Sequence, residues 1–135
     1  MDISISVSQE ACFRRYGDEV KTYVLTKTHS GIRTQNYQIA TYIGEQDPYI
    51  EPVSVREIDA KAVERLLDNL ARTRIPLIPE FITGRDGWMV HIEILYGMNS
   101  VKYSWWLHIP EQWGILREVV QFIVDDPEEL EVMLS

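Results

Sequence analysis

Residues 86–124 read DGWMVHIEILYGMNSVKYSWWLHIPEQWGILREVVQFIV and hold all four tryptophans of the chain, Trp88, Trp105, Trp106 and Trp113. In the first part the even positions Trp88, Val90, Ile92 and Ile94 are apolar, while Met89, His91 and Glu93 stand between them. After the turn the phase reverses. Val101, Tyr103, Trp105, Leu107 and Ile109 are apolar, against Lys102, Ser104, Trp106 and His108. Such alternation marks two strands, each with one buried face and one wetter face.

A two-residue loop at Gly97-Met98 reconciles the phases, because directly opposed residues of an antiparallel pair share a face. Glycine at the first loop position accepts the positive φ of a type II′ turn. The loop sets Tyr96 opposite Asn99, Ile94 opposite Val101, Ile92 opposite Tyr103 and Val90 opposite Trp105. On the other face Glu93 meets Lys102, His91 meets Ser104 and Met89 meets Trp106. A four-residue loop would shift this register by two. Pro110 fits a first helical turn, where its missing N–H costs nothing. Trp113, Leu116, Val120, Ile123 and Val124 then recur at helical spacing. The expected result is a helix folded back over the Trp88, Val90 and Trp105 face.

Outward from this hairpin, Asp2 to Ser8 alternates as a half-buried strand, and Val20 to Thr28 and Thr34 to Ile43 are β-rich. Gln9 to Tyr16 fits one or two helical turns ended by Gly17, and Gly44 to Pro52 reads as a loop. Asp59 is an N-cap for a helix to Arg72 whose stripe is Val63, Leu66, Leu67 and Leu70, with Ile58 as a staple on Val63. Ile75 to Pro79 breaks that helix with two prolines. Asp126-Pro127-Glu128-Glu129 is the start of a short helix running through Met133. The sum is one α+β domain over residues 1–135: a mostly antiparallel sheet of about five strands, two main helices on one face and a short C-terminal helix.

A single cysteine, Cys12, leaves no internal disulfide and fits a reducing, cytoplasmic setting. The start of the sequence has no signal-peptide pattern, and no long apolar run argues for a membrane span. The formal net charge is −8, and from Glu111 onward seven acids face one base, Arg117. That field repels a phosphate backbone and excludes nucleic acid as a partner. It suits a basic protein partner, although an acidic solvated face gives the same composition.

No residue cluster spells a reaction. His91, Glu93 and His108 do not converge on a metal, since the register leaves the two histidines roughly 13 Å apart at about 3.3 Å per residue. The His-x-Glu spelling lacks the paired cysteines of zinc deaminases. Ser104, His91 and Glu93 spell a nominal nucleophile, base and acid, yet a sheet face offers no evident oxyanion donors. The acidic tail lacks calcium-loop spacing, and Gly84-Arg85-Asp86-Gly87 lacks the lysine and helix of a phosphate loop. No cofactor and no metal are expected. Trp106 shares the wetter face with His91, Glu93, Lys102 and Ser104, so it is either covered by Met89 or the N-terminal strands, or an anchor for a partner.

The order of Leu-rich helix, Asp86-Gly87, hairpin, Tyr103-Ser104-Trp105-Trp106, Pro110, Trp113, Leu116 and closing helix is similar to small bacterial proteins of unknown function. Some of those are immunity proteins encoded beside secreted toxins. The resemblance covers residues 60–124 or so and carries no catalytic residue. It implies a protein that neutralises a partner by covering it. The expected contact surfaces are the hairpin face (Trp106, His91, Glu93, Lys102, Ser104, His108) and the acidic helices (Glu118, Asp125, Asp126, Glu128, Glu129). Two other classes remain: a small hydrolase or ligand-binding enzyme using His91, Glu93 and Ser104, and a homo-oligomer pairing its aromatic face.

Overall fold

The computed structural model describes residues 3–11, 20–28, 36–44, 51–76, 88–106 and 108–134. Its strands are β1 (Ile3–Ala11), β2 (Lys21–Thr28), β3 (Asn36–Ile43), β4 (Ser54–Ile58), β5 (Trp88–Tyr96) and β6 (Asn99–Trp106). They form one antiparallel sheet in the order β4-β3-β2-β1-β5-β6. The helices are α1 (Ala60–Arg72), α2 (Gly114–Ile123), preceded by a 3₁₀ turn at Glu111–Trp113, and α3 (Pro127–Leu134). The α+β antiparallel architecture is as expected, with six strands rather than about five.

The hairpin has the expected register at every pair, from Met89 opposite Trp106 to Tyr96 opposite Asn99. Gly97 adopts φ 60°, which a side-chain-bearing residue resists. β1 then pairs along the whole of β5, from Ile3 opposite Tyr96 to Ala11 opposite Trp88. Gln9, Glu10 and Ala11 therefore continue the strand instead of starting a helical turn. The alternation of the serines carries on into Glu10, and pairing with β5 decides the matter. Residues 12–16, the turn at 29–31, most of the 44–52 loop, Pro79 and Asp86-Gly87 lie outside the described residues.

The core sits on one face. Ile5, Val7, Tyr23, Leu25, Ile39, Val90, Ile92 and Trp105 supply the sheet side, and Val63, Leu66, Leu116, Val119, Val120, Ile123 and Met133 the helix side. Each such side chain contributes roughly 1.5–3 kcal/mol on burial. Asp59 caps α1 by accepting from the Lys61 N–H, and Leu67 and Leu70 pack only partly against the core. The indole N–H of Trp105 donates to the Met133 carbonyl at 3.3 Å, and that of Trp113 to the Pro76 carbonyl at 3.2 Å. Trp113 also meets Tyr103 edge-on at 5.3 Å.

Trp88 departs from expectation. It shares the face of Val90 and Trp105, but it is 42% exposed where Trp105 is 4%. It stands at the first position of β5, opposite the last residue of β1, whereas Trp105 is tied to the chain beyond Pro110 through the Met133 carbonyl. β4 is a five-residue edge strand missing from the sequence reading. Its Arg56 faces Ile39 in register and reaches over the sheet end to the Ile123 carbonyl at 2.7 Å and to Asp125 at 3.5 Å.

Candidate functional site

The second face of the sheet gathers polar side chains from the strands β1, β5 and β6. His91 is flanked in register by Ser8 and Ser104. Its Nδ1 lies 2.6 Å from Ser104 Oγ and its Nε2 lies 3.0 Å from Glu10 Oε1. A carboxylate only accepts, so Nε2 carries the proton, and in the neutral ring Nδ1 accepts from the serine hydroxyl. The result is a carboxylate–imidazole–hydroxyl chain. The His91 side chain is 19% exposed and that of Glu10 is 40% exposed.

Glu93 was the acid expected beside His91 and Ser104. It stands across from Lys102, as the register predicts, and from Ser6 on the other side, while the carboxylate that reaches the ring is that of Glu10. The strand expected over Asp2 to Ser8 stops short of Glu10, and β1 continues to Ala11. The signal was present in the polar row Ser4, Ser6, Ser8, Glu10. Trp106 ends this row on β6. It is partly buried, and its indole nitrogen is buried without a hydrogen-bond partner among the described residues. That end of the ring is covered, and Met89 stands directly opposite. His108 is exposed in the bend after β6, off the strand row.

The acidic residues do not join this face into one patch. Asp126 caps α3 through the Glu128 N–H at 3.0 Å and faces Lys21 at 4.0 Å. Glu129 pairs with Lys21 at 2.8 Å and accepts from the Tyr23 hydroxyl. Asp125 meets Arg56. These three carboxylates pin the C-terminal segment to the sheet. Burial first, and then the Glu129 hydrogen bond and charge, push the Tyr23 phenol well above its ordinary value. Glu118 and Glu128 remain exposed at the surface, as does Glu131.

A feature absent from the sequence reading lies on the helical side. A cavity of about 630 Å³ runs between α1 and the β1, β5 and β6 strands, with Leu116 at its base. Its walls are mainly apolar, among them Leu67, Leu70, Ile94, Tyr96, Val101 and Tyr103, and Glu64 and Asp68 bring carboxylates to it. The volume falls within the range of sites that take small ligands or anchoring side chains. Tyr96 is 48% exposed, Val101 42%, and Met98 at the hairpin tip fully so. In the sequence its trace is the width of the α1 stripe, where Leu67 and Leu70 widen the row of Val63 and Leu66; in the structure those two leucines are only partly buried.

Among the described residues no group of three or more His, Cys, Asp or Glu side chains could hold a metal ion. None of the described helices is long and apolar enough to cross a membrane. The fold and sites define an α+β domain with an antiparallel sheet and two dissimilar faces. No protein-family model, curated protein or solved structure matches the chain.

Proposed function

We propose that the chain is a non-catalytic, cytoplasmic protein-binding domain that recognises a basic partner and needs no cofactor. One observation carries the reading: large apolar side chains at the hairpin tip stand in water beside an apolar cavity that also holds Glu64 and Asp68. Contiguous exposed apolar surface near a concave site is characteristic of interaction surfaces. The net charge of −8 adds attraction for a cationic partner. Toxin neutralisation is the finer form of the proposal, and it rests on the resemblance of residues 60–124.

The test is affinity capture from the source cell with two baits, the native chain and Val101→Glu. Val101 is substantially exposed, so the substitution leaves the core intact. A basic protein retained by the native chain and lost from the variant supports the proposal. Equal recovery on both baits, or no specific recovery, overturns it.

A second reading is favoured by the Glu10–His91–Ser104 chain, which is the arrangement a base-activated hydroxyl nucleophile requires. It makes the protein a small esterase or related hydrolase. Turnover of an activated acetyl ester that disappears in both His91→Ala and Ser104→Ala supports it. Equal background rates in all three proteins dismiss it.

A further inference from the structure

We propose that β6 takes a basic, extended segment of the partner as a seventh strand, whose inward side chains enter the cavity beside α1. This rests on the binding function proposed above and specifies its mode. β6 closes the sheet, and among the described residues it pairs with β5 alone. The hydrogen-bond alternation runs from the turn. Asn99, opposite Tyr96 beside the two-residue loop, bonds inward, and so do Val101, Tyr103 and Trp105. Ser100, Lys102 and Ser104 therefore direct their N–H and C=O groups away from β5. An eight-residue edge of this kind is a template for one more strand.

The side chains select the occupant. A strand added about 4.8 Å beyond β6 places alternate residues beside Val101 and Tyr103, at the cavity wall. Apolar side chains at those positions continue the wall. A cationic side chain reaching into the cavity meets carboxylates there, Glu64 and Asp68, the latter already paired with the largely exposed Arg72 at 3.3 Å. A second copy of this chain is a poor occupant, because each copy carries a formal charge of −8. The fitting segment alternates, on its inward side, between branched apolar residues and arginine or lysine.

The probe is an acetylated, amidated peptide of the length of β6, eight residues, alternating threonine with valine and arginine. Binding is followed by backbone amide shifts of the full chain. Two further peptides carry N-methyl groups on one or the other alternate set of amides. Strand addition requires that one methylated set abolishes binding and the other leaves it unchanged. Lys102→Pro removes one outward N–H while keeping the β5 ladder, and weakens binding of the unmethylated peptide about tenfold. The methylated peptides keep the test valid should that variant fail to fold.

Equal binding of both methylated peptides overturns strand addition. If that binding is lost in Val101→Glu, side-chain recognition in the cavity stands without the added strand. No binding of any peptide at millimolar concentration overturns the proposed mode, whereas equal partner capture by native and Val101→Glu baits overturns the underlying function.

Discussion

The Tyr23 hydroxyl joins two parts of the chain, β2 and α3. It donates to Glu129 on α3, while Lys21 holds the same carboxylate and lies 5.5 Å from the Tyr23 ring centre. Tyr37 is likewise raised above its ordinary value, by burial and then by the charge of Glu64. A phenol with a folded-state pKa above its unfolded value of about 10 binds its proton more tightly in the folded protein. The stabilisation is complete below pH 10 and is lost as pH rises beyond it. Unfolding free energy measured by denaturant titration is expected to fall above pH 10, by at most about 1.4 kcal/mol per pH unit for each such group. Tyr23→Phe should flatten that decline. An unchanged alkaline slope in the variant would show that Tyr23 does not carry it.

At the level of elements, α3 is short and depends on its ends. Asp126 accepts from the Glu128 N–H, and Met133 is fully buried against the core. Asp126→Ala should cost about 1 kcal/mol through the lost cap, lowering the melting temperature by about 3 °C in a chain of this size. A melting temperature within experimental error of the native value would rule the cap out as a contributor. This cap was legible in the sequence, since Asp-Pro-Glu-Glu spells it locally. So was the hairpin register, because a two-residue turn fixes parity for both strands at once. β4 was not legible. In Ser54–Ile58 the core-side position opposite Ile39 is occupied by Arg56, and Val55 is 51% exposed, so no period-two apolar signal exists. An inward-pointing charge on a short edge strand is a device against edge pairing, and it erases the pattern that reveals the strand. Glu10 was missed for a related reason. The polar row of β1 marks the face of Glu10 but not its place beside His91, which depends on β1 pairing with β5, a contact between residues some eighty positions apart.

For the whole molecule, the sheet order decides what the charge can do. β1 lies centrally between β2 and β5, the helices cover one face, and the acids of the C-terminal segment divide into two groups. Asp125, Asp126 and Glu129 hold Arg56, Lys21 and Tyr23 and so belong to the fold. Glu118, Glu128 and Glu131 are exposed and add to the long-range field. Steering by that field acts on the encounter with a basic partner, whereas contacts at the cavity govern how long the complex lasts. Raising ionic strength from about 0.05 M to 0.5 M shortens the screening length several-fold, and the association rate should fall roughly 10- to 100-fold with little change in dissociation. The triple variant Glu118→Gln, Glu128→Gln, Glu131→Gln should show a slower association and a shallower salt dependence at unchanged stability. Val101→Glu should instead accelerate dissociation. Stopped-flow or surface-binding kinetics separate the two. An association rate indifferent to salt in the native chain would remove the basic character of the partner while leaving the apolar cavity as the point of contact.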